Sequence, residues 1–293
     1  MADTATTHWL WPALAALLPW PAGMRLLDRM ASSGLRLRNE EAAWRQATRH
    51  ARTHLPEAQG HSADEARWRR AWRLTQLVEH ADLFLGLTRS SAWLRRHVDV
   101  TGAWPERGPF LAVGNHWGAG LWALRHLRAS GHRARFLLRG ISESDLEQDR
   151  WLTRYMKLRV IATRRALGTA LIYTGNASEE IARSWASGTS VIALFDVPPD
   201  RARTSISAAL GRGRIKVPLG LMRLACERGI PVVSFAAGVD RATGRRTLTI
   251  GAAQTWNDAD SLAASLARRL DALLTQDSAA WHMWPHAGEL LDP

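Results

Sequence analysis

The segment "PFLAVGNHWGAGLWALRHL" carries the residues best suited to proton-transfer chemistry. His116 follows a short apolar run and precedes a stretch of helical spacing, and an imidazole can take a proton from a hydroxyl near neutral pH. Gly114, Gly118 and Gly120 leave room for close backbone approach, and the free amides of a helix start can hold a negative oxygen. With Asn115 beside it, the group suits acyl transfer, with the histidine as base and nearby amides steadying the oxyanion. A purely structural histidine fits the same spot, so the surrounding elements matter. Asp196, in "FDVPPD", ends an apolar run before two prolines and reads either as a functional acid or as a turn former.

Other reactive types are less promising. Cys226 is the only cysteine, which excludes an internal disulfide, a CxxC redox pair and a multi-cysteine zinc site. Within "RLACERG" it reads as core filler. Trp281, Trp284 and His286 read as a tail packed by large rings or seated at a lipid interface. His126 and His132, flanked by arginines, are expected to be solvated.

The elements that must position His116 alternate after Gly108. Strands are predicted near 110–114, 134–138, 158–162, 190–196, 214–217, 231–237 and 245–251, and helices near 119–130, 145–157, 168–187, 218–228 and 258–275. This is an α/β pattern with a mixed, mostly parallel central sheet flanked by helices. Ligands of such sheets gather at the carboxyl ends of strands, where His116 falls. Ahead of it, residues 39 to about 98 read as two helices separated by "PEAQGHS", with Ser62 through Glu65 as a helix start. The expected division is an interfacial segment over 1–37, a helical lead-in over 38–101 and an α/β domain over 102–293, with 38–293 as one compact unit.

The 39 basic and 27 acidic residues leave a net charge of +12, almost all of the cations being arginine, since Lys157 and Lys216 are the only lysines. That favours an anionic partner, because the arginine fork grips phosphate and carboxylate at two points. The start "MADTATTH" has an aspartate and no lysine or arginine, and does not read as a secretory signal. Residues 9–24, "WLWPALAALLPWPAGM", are short and broken by Pro12, Pro19 and Pro21. Followed by Arg25, Arg29, Arg36 and Arg38, they suit a segment lying in the headgroup region better than a span or a buried helix. No helix-turn-helix, zinc finger or RNA-binding signature accompanies the charge, so nucleic acid is not expected as a partner.

The order of segments resembles the late acyltransferases of bacterial lipid A assembly, within the lysophospholipid (glycerolipid) acyltransferase-like superfamily. "ALLPWPAGMRLLDRM" and "THLPEAQGHSADEARWRRAWRLTQLVEHADLFLGL" are similar to the family's helical lead-in, and "VGNHWGAGLW" to its catalytic block. "LLRGISESDLEQDRWLTRYMKLRVIATR" resembles its acyl-groove segment with anion-binding arginines, and "WASGTSVIALFDVPPD" the block ending in a strand and aspartate. "LGRGRIKVPLGLMRLACERGIPVVSFAAGVDRATGRRTLTI" and "SAAWHMWPH" are similar to the pocket-completing stretch and the tryptophan-rich terminus. The resemblance implies transfer of a fatty or polyene acyl group from an acyl carrier protein thioester to a hydroxyl of a lipid or secondary-metabolite acceptor. The setting would be the cytoplasmic face of the inner membrane, on an anionic surface, with no metal or cofactor beyond the thioester co-substrate. By position, His116 would be the base, Asn115 and Gly118 would line the substrate, and Arg139, Arg154 and Arg164 would contact phosphate. Asp196 and Gly211 would shape the pocket.

One departure stands out. The family places an Asp or Glu five residues after its histidine, and here that position is Leu121. A carboxylate there fixes the imidazole tautomer and favours its charged form. Without a substitute, catalysis should fail, as in the serine protease triad, where the equivalent loss costs about 10⁴-fold. The substitute could be a backbone carbonyl, a carboxylate distant in sequence with Asp196 first in line, or an anionic substrate group. The alternative is a catalytically silent relative that binds acyl chains or the carrier protein.

Overall fold

The computed structural model describes residues 4–33, 40–55, 65–140, 150–175, 177–198 and 204–292. The expected helix start at 62–64, the break over 56–62, the region 145–149, and Arg36 and Arg38 lie outside the described residues.

The protein is α/β. A seven-stranded sheet runs in the order β1 (Val98–Thr101), β9 (Arg246–Ile250), β8 (Val232–Val239), β2 (Leu111–Gly114), β5 (Ser190–Leu194), β3 (Ala134–Leu138), β4 (Ile172–Tyr173). All neighbours are parallel except β8 and β9, which pair antiparallel. β2 lies near the centre, paired on both edges, and all four of its residues are buried, which is why it reads as an unbroken apolar run. A second sheet, all antiparallel, joins β6 (Ser205–Leu210), β7 (Gly213–Pro218) and β10 (Leu291–Asp292).

Helices cover the sheet. α6 (Gly120–Ala129) follows β2 and buries Leu121, Trp122, Ala123, Leu124 and Leu127. In α10 (Ala259–Asp277), Leu262, Leu266, Leu270 and Leu274 recur every fourth residue and are buried. Its N-cap, Asp258, accepts from the amides of Asp260 and Ser261.

The N-terminal helices pack into this body. α1 (Thr4–Leu17) and α2 (Trp20–Ser32) lie against α4 (Glu65–Thr88), burying Ala15, Ala16, Trp20, Met24, Leu27 and Met30. Buried Arg246 ties α4 to β9 through Asp82 and lies 4.5 Å from the ring centre of Trp20 and 4.9 Å from that of Trp122. Among the described residues, no helix is long and apolar enough to cross a membrane. α1 presents Leu10, Leu14 and Leu17 outward, with Leu18 just beyond it.

Four assignments differ from the sequence reading. Residues 158–162, expected as a strand, lie within α7 (Arg150–Leu167). There Ala162 and Ala166 are buried at a spacing of four, and packing against α6 overrides the β preference of Val160 and Ile161. The helix expected over 168–187 narrows to α8 (Ala177–Ala186), because Gly168 at φ +71° ends α7 and β4 intervenes. β6 was missed, since its mixed "SISAAL" gives no clear alternation. β1, expected inside the helical lead-in, is an edge strand of the main sheet.

Candidate active site

β2 and β5 are adjacent and parallel, and Gly114 pairs with Leu194 at their carboxyl ends. His116 and Asp196 each lie two residues further on, so the register delivers them to the same spot. The imidazole Nδ1 of His116 lies 3.0 Å from Oδ1 of Asp196, and the His116 backbone N–H donates to Oδ1 at 3.0 Å and Oδ2 at 2.8 Å. Trp281 Nε1 donates to Oδ2 at 2.8 Å. Asp196 is completely buried, so its charge is held by donors rather than by water. With Nδ1 donating to a carboxylate, Nε2 of neutral His116 carries the lone pair. It has no hydrogen-bond partner among the described residues, and the side chain is 30% exposed. Burial alone would lower the His116 pKa, but the Asp196 carboxylate outweighs it, and the net shift is upward from 6.5.

The chain's C-terminal segment locks this loop. Trp117 bridges to Trp281, Gly118 N–H donates to Ala280 C=O at 3.0 Å, and His282 N–H donates to His116 C=O at 2.9 Å. His282 bridges Gln76 on α4, 2.8 Å from Nδ1, and Gly118 C=O, 2.9 Å from Nε2. Trp281 and Trp284 are fully buried, edge to face at 4.8 Å. The tail is packed, as one sequence reading had it, but Trp281 also reaches the acid, which its local sequence did not announce. His286 is mostly exposed.

Beside the histidine lies a second charged group. Arg159 on α7 pairs with Glu79 on α4 and donates to Tyr155 Oη at 2.9 Å. Burial works against the Glu79 charge, yet Arg159 and His282 bring it to about 2. Burial pushes Tyr155 up to about 12. The charges of Arg159 and Glu79 act on His116 in opposite directions, Arg159 lowering its pKa and Glu79 raising it, and both count for less than Asp196.

Of the other expected site residues, Asn115 and Gly118 flank His116 in the chain. Asn115 is buried, and its Nδ2 has no partner among the described residues; it borders a void of about 10 Å³ with Phe195 and Ser234. Gly118 has φ +51°, and a Cβ there would lie 2.6 Å from Ala237 C=O, so its role is close packing. The amides of Gly118 and Ala119 are already donated to Ala280 and Ala237 carbonyls, so they are not available to an oxyanion. Those of Gly120 and Leu121, the first two of α6, have no acceptor among the described residues. Arg139 lies just past the end of β3, at the same carboxyl end of the parallel strands as His116. Arg154 and Arg164 are ten positions apart on exposed turns of α7, about 15 Å along its axis. Gly211, at φ +56°, forms the β6–β7 turn, where it donates to Asp271 at 2.8 Å and abuts His54; it is not among the residues that contact His116. His126, expected in solvent, accepts from Trp104 at 3.0 Å, and His132 lies edge-on to Phe110. Cys226 is half-buried at the core's edge, its thiol pushed up by burial and so not activated.

Among the described residues, no group of three His, Cys, Asp or Glu side chains is placed to hold a metal ion. Compared with known proteins, the chain matches no family model and no curated sequence.

Proposed function

We propose that this chain is an O-acyltransferase of the kind its sequence resembles, moving an acyl group from a carrier-protein thioester to a hydroxyl of a lipid or other small acceptor. The observation that supports it most is His116 itself, a partly exposed side chain whose Nδ1 is backed by Asp196 and whose Nε2 has no hydrogen-bond partner among the described residues. The acceptor O–H gives its proton to Nε2 as its oxygen attacks the thioester carbonyl. The first amides of α6 steady the resulting oxyanion. Collapse breaks the C–S bond, and the imidazolium returns the proton to the leaving thiolate, giving ester and free thiol. Asp196 holds the tautomer throughout and stabilises the transient charge. The exposed leucines at α1 favour work at a membrane surface, and the sequence resemblance implies its cytoplasmic face.

The test is incubation of purified protein with acyl carrier protein thioesters of several chain lengths and candidate hydroxyl acceptors, beside a His116→Ala control. Ester formation that disappears with the histidine supports the proposal. Tight binding of acyl carrier protein without turnover would instead favour a silent binding protein.

A further inference from the structure

The far half of α6 faces a cleft that acyl transfer does not use. It has a volume of about 420 Å³ and opens between the end of α4, α5 (Ser91–Arg96), α6 and the end of α7. Arg89, Arg95, Arg125, Arg128 and Arg165 line it together with His126, and among the described residues no Asp or Glu does. Among the described residues, none of these five arginines has a carboxylate within 4 Å. Arg128 donates to Arg165 C=O at 2.9 Å and Arg89 to Ala16 C=O at 2.8 Å, both neutral acceptors. The Arg125 guanidinium is pressed over Gly86, where a Cβ would come within 1.6 Å of it. Burial there pushes its pKa down, and the nearby Asp82 is already committed to Arg246. Five guanidinium forks around one hollow, with no carboxylate partner among the described residues, suit phosphate oxygens.

The apolar rim says which phosphate. Arg89, a wall of the cleft, also grips the carbonyl of Leu18, just beyond the end of α1. At that spot the surface is leucine: Leu14 is 39% exposed, Leu17 64% and Leu18 39%, and Leu87 near the end of α4 is 53% exposed. A basic hollow continuous with exposed leucines matches an anionic headgroup joined to acyl chains.

We propose that this cleft holds the phosphate headgroup of an anionic membrane phospholipid while Leu17 and Leu18 enter the acyl region. The inference does not depend on acyl transfer by His116. The test is flotation of the full chain with vesicles of phosphatidylcholine alone or mixed with phosphatidylglycerol, at physiological salt. Three proteins are compared: wild type, Arg95→Gln/Arg125→Gln/Arg165→Gln, and a control with Arg183, Arg223 and Arg268 changed to Gln. The cleft variant should lose about a hundredfold in partition to mixed vesicles, at about 1 kcal/mol per arginine, and the control less than about tenfold. Should the triple variant unfold, Arg95→Gln/Arg165→Gln, which leaves half-buried Arg125 in place, should still lose about tenfold or more. Leu17→Ser/Leu18→Ser should weaken binding as well. Equal losses in cleft variant and control would overturn the site. So would displacement by inorganic phosphate together with an unaffected leucine variant, which marks a free-phosphate site. Intact vesicle binding with lost affinity for acyl carrier protein would mark a protein-docking surface and overturn it too.

Discussion

Gly114 and Leu194 are directly paired neighbours of β2 and β5, and His116 and Asp196 stand two residues beyond them, 3.0 Å apart in space and 80 apart in sequence. The acid is therefore supplied by the adjacent strand rather than by the helix that follows the histidine. Leu121, where the resembled family has its acid, is buried in an apolar cluster with Leu83, Ala123 and Leu124.

Asp196→Asn keeps the side chain's shape and removes its charge. The acyl-transfer rate should fall by up to about 10⁴-fold, mostly in kcat. In the proposed mechanism His116 is the base and must be neutral to act. The wild-type rate should therefore rise with pH through a value above 6.5, and in the variant this limb should move to lower pH. The linked stability has the opposite pH sense. Because folding raises the pKa, the stabilisation is full below 6.5 and fades as pH rises through the folded value. Rate profiles and thermal melts from acid to alkaline pH check both.

Trp281→Phe retains the packed ring and deletes the N–H that donates to buried Asp196. It should destabilise the fold by about 1–3 kcal/mol in denaturant titration and lower turnover, whereas Trp284→Phe should leave turnover intact.

Leu121→Asp restores the acid the family pattern expects, yet it should not raise activity. The new carboxylate would enter an apolar cluster while Asp196 already holds Nδ1. A loss of about 3 kcal/mol or more in unfolding free energy is expected, with turnover no higher than wild type.

Arg246→Met leaves Asp82 buried without its ion-pair partner between α4 and β9. Equilibrium unfolding should show a loss of about 3–5 kcal/mol, and adding Asp82→Asn should recover part of it.

Sequence was most informative where signals are local. The continuous apolar runs of β2, β5 and β8, and the four-residue leucine spacing of α10, are set by one-sided or two-sided burial and can be read directly. His116 at a strand-to-helix junction was legible for the same reason. Asp196 could be named as a candidate partner, but its proximity depends on β2–β5 register, which no local pattern encodes. Arg159, Glu79 and His282 went unnoticed because they converge from α7, α4 and the C-terminal tail; the Tyr155/Arg159 spacing of four was the one available hint. Arg154 and Arg164, each named as a candidate phosphate contact, fall on one helix, and helical geometry spreads them along its axis.

The most direct measurement of the central claim is an NMR titration of the His116 imidazole from about pH 5 to about pH 9 in wild type and Asp196→Asn. A wild-type midpoint above 6.5 is expected, with Nδ1 protonated in the neutral form, and a midpoint that drops when the carboxylate is removed. A wild-type midpoint at or below 6.5 that does not move in Asp196→Asn would contradict that claim.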